Sequence, residues 1–455
     1  MEFTVSQTTI SEHLAQIKTI LPPKPSYPIL SNVLMKAKDQ QLILTTFDSS
    51  LGLTTSFPVS IEEEGSICVN GKLLVGLINK LNATELTFKL ETTEDFEEDE
   101  NPLILIVQAE NSIYRLQGIE SNQYPELPIL ETLLSVTLPS HSLLSALIPV
   151  LRSYATDETK QILRGVHFLF SSSKLELIST DGHRLSMSKL SLDDLAGIDE
   201  IESEGITIPG DTCQQLVKLL RGFKEDVEQP SQSPQEDECG TRSAPQSESV
   251  QGEDEPSPTI DNNFSEPVCS TVKISWDNKQ VQFELGAHQM MISRLLQGTY
   301  PNAHQLLPSE YPNSINFQVL EMKRAINRLN ILNPKKNVLV LECSAQRQQI
   351  KLYWLSSDHH QGIENIPAVV ERDLTIAFNS KYFHDAVLAL PGNELKFEAI
   401  DPDQASRLVS LEPDCSAFVL LMPVKVDQFP QVPTVNKEPS LPPNQTKDKE
   451  LAKVN

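Results

Sequence analysis

The sequence predicts an α+β protein made of three copies of one domain, and three observations carry that prediction. First, residues 67–81 (ICVNGKLLVGLINKL), 206–220 (ITIPGDTCQQLVKLL) and 376–390 (IAFNSKYFHDAVLAL) share one pattern. Each reads as a short β-type run, a helix-starting break and a helix with apolar residues three and four apart. The breaks, Asn70-Gly71, Pro209-Gly210-Asp211 and Asn379-Ser380, have the chemistry of helix caps. Second, the copies start 139 and then 170 residues apart. Removing a low-complexity insert of about 40 residues brings the second interval near 130, too long for a solenoid and right for a domain. Third, other landmarks recur. LILTTFDSSLGL (42–53) lies 133 residues before LELISTDGHRLS (175–186), with Asp48 matching Asp181. Leu116-Gln117-Gly118 precedes Tyr124-Pro125 as Leu296-Gln297-Gly298 precedes Tyr300-Pro301.

Taken in order, the first domain covers 1–130: a helix over 11–21, the strands of 42–53 and the strand–helix unit of 67–81. The acidic run ETTEDFEEDE at 91–100 reads as a hairpin tip. The second domain covers 131–308 and opens with a helix over 140–153. Two strands follow, one alternating through Val166, Phe168 and Phe170, the other through Leu175, Leu177 and Ile178, joined at Ser171-Ser172-Ser173. The second strand ends in Thr180-Asp181-Gly182-His183-Arg184-Leu185, where Asp-Gly favours a tight turn because glycine tolerates positive φ. His183 and Arg184 are thus expected at a sheet rim beside Leu163 and Leu185, a peptide-binding edge. Residues 225–267 interrupt this domain with a Glu-, Ser-, Pro- and Gln-rich stretch expected to be disordered. The third domain covers 309–426, with helices over 320–332 and 380–390, and a Pro-rich tail fills 427–455.

Six cysteines among 455 residues, at 68, 213, 239, 269, 343 and 415, form no Cys-x-x-Cys, which suits a reduced compartment better than a disulfide framework or a zinc site. The N-terminal MEFTVSQTTI lacks the pattern of a signal peptide, and no apolar run reaches the ~18 residues of a membrane span. A cytoplasmic protein without membrane contact is expected.

Net charge is −25, from 37 Lys and Arg against 62 Asp and Glu, which argues against nucleic acid for the chain as a whole. The charge is unevenly spread. Extended to their flanking basic residues, the six helical stretches hold 14 basic and 4 acidic residues, leaving −35 elsewhere. A shared helical surface would then be basic enough to follow a phosphate backbone while the remaining surface repels DNA.

Three α+β copies, basic helices and six motifs in order resemble the bacterial DNA sliding clamps, the beta subunits of the replicative DNA polymerase III. The motifs are KPSYPILSN (24–32), ILRGVHF (162–168), TDGHRL (180–185), TYPNAHQLLP (299–308), FNSKYFHDAVLAL (378–390) and LLMPVKV (420–426). The resemblance implies a ring-shaped head-to-tail homodimer that encircles double-stranded DNA, with helices lining a central hole and antiparallel sheets outside. It implies a pocket for the replicative polymerase subunit, the clamp loader and other proteins carrying a short apolar motif. Carried over by motif, that pocket is Leu163, Thr180, Gly182, His183, Arg184, Leu185, Pro301, Leu306, Leu420, Met422, Pro423 and Val424. Leucines, Met422 and prolines suit an apolar anchor, and His183 and Arg184 are expected to orient the peptide by hydrogen bonds. A few such anchors typically give micromolar affinity, about −8 kcal/mol. The DNA-facing candidates are Lys24, Lys72, Lys160, Lys218, Arg221, Lys323 and Arg328. Against the family pattern, Asp211 stands at a helix start that often carries basic residues, and Lys160-Gln161-Ile162 where aromatic residues often occur.

Nothing in the sequence points to catalysis. It contains no GxxxxGK[ST], no HExxH and no metal-spaced His or Cys cluster, and His359-His360 after Asp358 reads as a solvated turn. No enzymatic activity and no cofactor are expected. The competing class is an interaction scaffold that uses the same pocket without encircling DNA.

Overall fold

The computed structural model describes residues 1–92, 103–130, 134–171, 173–191, 204–221, 269–332, 338–355, 362–413 and 415–426. The tip of the 91–100 run, the insert 225–267, the tail 427–455 and His359-His360 lie outside the described residues. Six helices are seen: α1 (Gln7–Lys18), α2 (Gly71–Ile78), α3 (Ser140–Val150), α4 (Gly210–Arg221), α5 (Val319–Leu332) and α6 (Ser380–Ala389). Each starts on the residue after a strand of five or six residues, and three strands follow each helix before the next unit begins. The repeat is therefore strand–helix–three strands, written six times, two per domain. A short extra strand, Ser60–Glu63, is added in the first domain.

This unit is half the length that the sequence spacing gives, for a local reason. At α2 and α6 the Asn70 and Asn379 side chains accept backbone N–H bonds from Leu73 and from Lys381 and Tyr382. At α1 and α3, Ser6 and Pro139 provide no side-chain cap bond, so these two starts carry no local signal of that kind. The same absence explains why α1 begins at Gln7 rather than at residue 11.

The strands join into two antiparallel arrays of 13 and 12 strands that run across domain borders. Leu51–Pro58 of the first domain pairs with Gln289–Arg294 of the second, and Arg184–Ser191 of the second with Phe418–Leu421 of the third. The helices pack on one side of these arrays. The large cores there bury Phe3 against Phe88 and Phe170 against Trp276, ring centroids 4.8 and 4.3 Å apart. Three smaller apolar clusters lie on the opposite face. Val166, Phe168, Phe170, Leu175 and Leu177 join the helix-side core as expected, but Ile178 breaks the alternation and faces outward. The Leu-Gln-Gly landmark is not equivalent in its two occurrences. Leu116-Gln117-Gly118 lies inside strand Ser112–Ile119, whereas Leu296-Gln297-Gly298 follows strand Gln289–Arg294.

Across the first domain junction Gln289 Nε2 donates to Gln16 Oε1 of α1, beside a cluster within the first domain. His13 of α1 stacks on Phe57 at 4.0 Å and hydrogen-bonds Thr55 Oγ1 at 2.8 Å. Burial, with His288 nearby, lowers the His13 pKa to about 4 and keeps it neutral. Cys68, Cys213 and Cys343 are buried and free. Among the described residues no helix is long and apolar enough to cross a membrane.

Candidate functional site

The Asp181-Gly182 turn has the geometry its sequence demands. Asp181 Oδ1 accepts the His183 and Arg184 backbone N–H groups at 2.8 and 3.0 Å, and Gly182 takes φ +91°. Thr180 Oγ1 closes the turn by donating to the Arg184 carbonyl at 2.6 Å. The equivalent turn in the first domain is built alike: Asp48 Oδ1 accepts the Ser50 and Leu51 amides at 2.8 and 2.6 Å, and Ser49 adopts φ +82°. The match of Asp48 with Asp181 is thus a match of structure.

Around this turn the structure brings together Leu163, Thr180, Gly182, His183, Arg184, Leu185, Leu420 and Met422, while Pro301 and Leu306 adjoin Tyr300 and Ala303 of the same cluster and Pro423 and Val424 lead on to Ala377. Leu185 and Leu420 pair directly across the junction of the second and third domains. With Ile178, Met187, Tyr300, Ala303 and Phe418 they form a buried apolar floor, and Leu163 packs against it. Gly182, His183, Pro301, Leu306 and Met422 stand exposed around it, Leu306 at 57% and Met422 at 50%. The last segment is tied in by two main-chain bonds, Met422 N–H to the His183 carbonyl and Val424 N–H to the Ala377 carbonyl, at 3.1 and 2.8 Å. A buried floor with an exposed apolar rim fits a short apolar peptide, each buried anchor being worth about 1.5–3 kcal/mol.

Arg184 is put to a different use from the one expected. Only 9% exposed, its guanidinium bonds Asp181 Oδ2 through Nε at 3.1 Å and Asp385 Oδ2 of α6 through Nη1 at 2.8 Å. Arg152 reaches Asp385 Oδ1 at 3.6 Å, and the Arg184 guanidinium lies 4.6 Å from the Tyr382 ring centre. A chain of two arginines and two aspartates therefore ties the second domain to α6 of the third, beneath the apolar site. His183 remains exposed, its ring 5.9 Å from that of Tyr382. Tyr382 and Asp385 are the site residues that sequence reasoning missed. Both lie in the FNSKYFHDAVLAL motif, three residues apart on one helix face, but nothing local indicates which domain that face meets.

The basic candidates are dispersed. Lys24 and Lys72 are both exposed near the end of α1, Lys72 Nζ lying 3.5 Å from the Pro23 carbonyl. Lys218 is exposed on α4 and Arg221 is partly buried at its end. Lys323 of α5 lines a cleft of about 910 Å³, with Leu320, His141 and Glu412, at the other end of strand Arg184–Ser191. Two of the candidates are engaged locally. Lys160 donates to the Asp181 carbonyl at 2.7 Å, which commits it to the apolar site's turn rather than to the helix layer. Arg328 is held by both oxygens of Glu364 at 2.7 Å, which offsets its charge. The helices themselves hold eight basic and four acidic residues, a net of +4 rather than +10. The difference lies in six flanking residues: Lys24 and Lys80 are exposed, Arg152 is ion-paired inside the junction, and Lys224, Lys335 and Lys336 lie outside the described residues.

Among the described residues no group of three or more His, Cys, Asp or Glu is placed to hold a metal ion.

Comparison with known proteins identifies the three domains separately. Family models for the DNA polymerase III beta subunit match its N-terminal domain to residues 1–128, its central domain to 137–230 and its C-terminal domain to 304–425. The beta sliding clamps of a Synechocystis species and of Synechococcus elongatus are 27% and 26% identical to this chain. Those alignments cover 94% of this chain and 100% of each relative. The sliding clamp of Bacillus subtilis superposes with a TM-score of 0.73 at 22% identity, over 94% of this chain and 99% of its own. A sliding clamp from Bartonella birtlesii, solved bound to griselimycin, gives 0.73 at 23% identity, over 94% of this chain and 100% of its own.

Proposed function

The chain belongs to the DNA polymerase III beta subunit family, the sliding clamps that make replication processive, and from that premise we propose how its own residues serve that role. Two copies close head to tail into a ring around duplex DNA, with the helix side of the sheets facing the duplex. The observation that carries this reading is the pairing rule at the domain junctions. At both, the third strand of one domain's first half-unit pairs with the third strand of the next domain's second half-unit. Applied throughout, the rule leaves Ile363–Val370 of the third domain and Ser112–Ile119 of the first. Each has a partner on one side and only a short pairing at one end on the other. Strand Ser112–Ile119 carries the exposed apolar Ile113, at 65%, outside its short pairing. An exposed apolar edge is a liability unless another strand covers it, and here each of the two strands matches the other on a second copy.

The domains follow the division 1–130, 131–308 and 309–426. Lys24, Lys72, Lys218, Lys323 and Arg221 supply the positive field along the hole, which serves loose electrostatic contact because the hold is topological. The chain performs no catalysis and acts in the cytoplasm at the nucleoid.

The apolar site at the second junction receives the short apolar motif of polymerase, clamp loader and other partners, with Leu185 and Leu420 as floor and Leu306 and Met422 as walls. Met422→Asp places a charge in that wall without disturbing a buried residue. A short peptide with Leu and Phe anchors is expected to bind it at least ~10-fold more weakly than the unmodified protein in a fluorescence titration. Equal affinity for both proteins would rule the site out.

A further inference from the structure

Glu176 is the one acidic side chain among the described residues that is 1% exposed. It lies on strand Lys174–Thr180, facing outward in the same row as Ile178 and Thr180, two residues from the apolar floor. A carboxylate so enclosed must be compensated. Lys174 and Lys189 approach its Oε1 at 2.9 and 3.4 Å, and His304 Nε2 meets its Oε2 at 2.8 Å. The lysines flank it on its own strand and on the neighbouring one. His304 comes from a separate element, the short 3-10 turn Ala303–Leu306 that carries the site's wall.

That turn has few other attachments. Asn302 Oδ1 accepts the His304 backbone N–H within the turn itself, and Ala303 and Leu307 pack on the floor. His304–Glu176 is the side-chain hydrogen bond that fixes the turn to the sheet. Other titratable groups around the floor are His167, which stacks on Tyr300 at 4.7 Å, bonds Thr207 Oγ1 at 3.0 Å and is kept neutral by burial, Tyr300 itself, whose phenol is pushed up by burial, and Arg407, 5.9 Å from the Phe418 ring centre.

From this geometry we infer that Glu176 is a positioning residue for the partner site: through His304 it holds the Ala303–Leu306 turn, and with it Leu306 and Pro301, in the arrangement that receives the partner's apolar anchor. The inference rests on the partner-site reading. The Glu176–His304 bond holds the wall before a partner arrives, and a wall already in place costs less to order on binding.

The experiment measures the dissociation constant of a short Leu- and Phe-anchored peptide. The full-length protein is compared with Glu176→Gln and His304→Gln, and folding is monitored by thermal melting. Both variants are expected to melt as folded proteins and to bind at least ~3-fold more weakly than the unmodified protein. Hydrogen exchange of residues 301–307, measured without peptide, is expected to quicken in both variants. Variants that keep the affinity of the unmodified protein would overturn the role of Glu176 and leave the site standing. An unmodified protein that binds no peptide would overturn both, and quickened exchange in the variants would then show a purely structural contact.

Discussion

Replacing Asp385 by Ala is expected to destabilise the protein by about 3–5 kcal/mol, the usual cost of leaving buried charges without a partner. Asp385 is 16% exposed, accepts a hydrogen bond from Arg184 at 2.8 Å and is ion-paired with Arg152 at 3.6 Å, these arginines being 9% and 17% exposed. Its removal leaves two guanidinium groups at the junction of the second and third domains facing one carboxylate, Asp181. Arg184 would also lose what holds it over Tyr382, so the loss should extend to the apolar site above. The measurement is urea denaturation of Asp385→Ala beside the double variant Asp385→Leu/Arg184→Met. The double variant should recover part of the loss, because an apolar pair needs no charge compensation. A single-variant loss below about 1 kcal/mol would mean that water screens the network and that it does not brace the domains.

The second large effect concerns the ring. Ile113→Lys puts a charged side chain on the unpaired stretch of one of the two strands left over by the junction pairing rule. Ile113 is 65% exposed in the single chain, so folding should be little changed. Association of two copies should weaken by about 100-fold or more, because a lysine ammonium at the centre of a paired strand interface must be desolvated. Sedimentation across a concentration series measures this directly. A variant that stays dimeric at the concentrations where the unmodified protein does would place the subunit contact elsewhere.

The fold was legible where a local signal existed. Asn70 and Asn379 announce α2 and α6 because a cap is a property of a few consecutive residues. The inner duplication was hidden because α1 and α3 start without such a cap, their position being set by the strand that runs straight into them. The site divides in the same way. Thr180, Gly182 and Leu185 were readable because the Asp-Gly turn is local chemistry. Tyr382 and Asp385 were not, since they reach the site through a junction spanning some 200 residues of sequence, as in the Arg184–Asp385 bond. The charge pattern needed the structure for a related reason. A tally of lysines and arginines cannot see that Arg152 and Arg328 are already matched by Asp385 and Glu364.

The central claim is that the chain holds DNA by enclosing it, and retention on a nicked circular duplex tests this most directly. The protein is loaded by a clamp loader with ATP and passed through gel filtration before and after the circle is cut. The account predicts that it travels with the closed circle and is lost once the circle is linearised, because a +4 helix layer on a chain of net charge −25 grips too weakly to stay on a free end. Retention that survives linearisation and collapses on adding salt would contradict it, since the hold would then be electrostatic and the ring reading wrong.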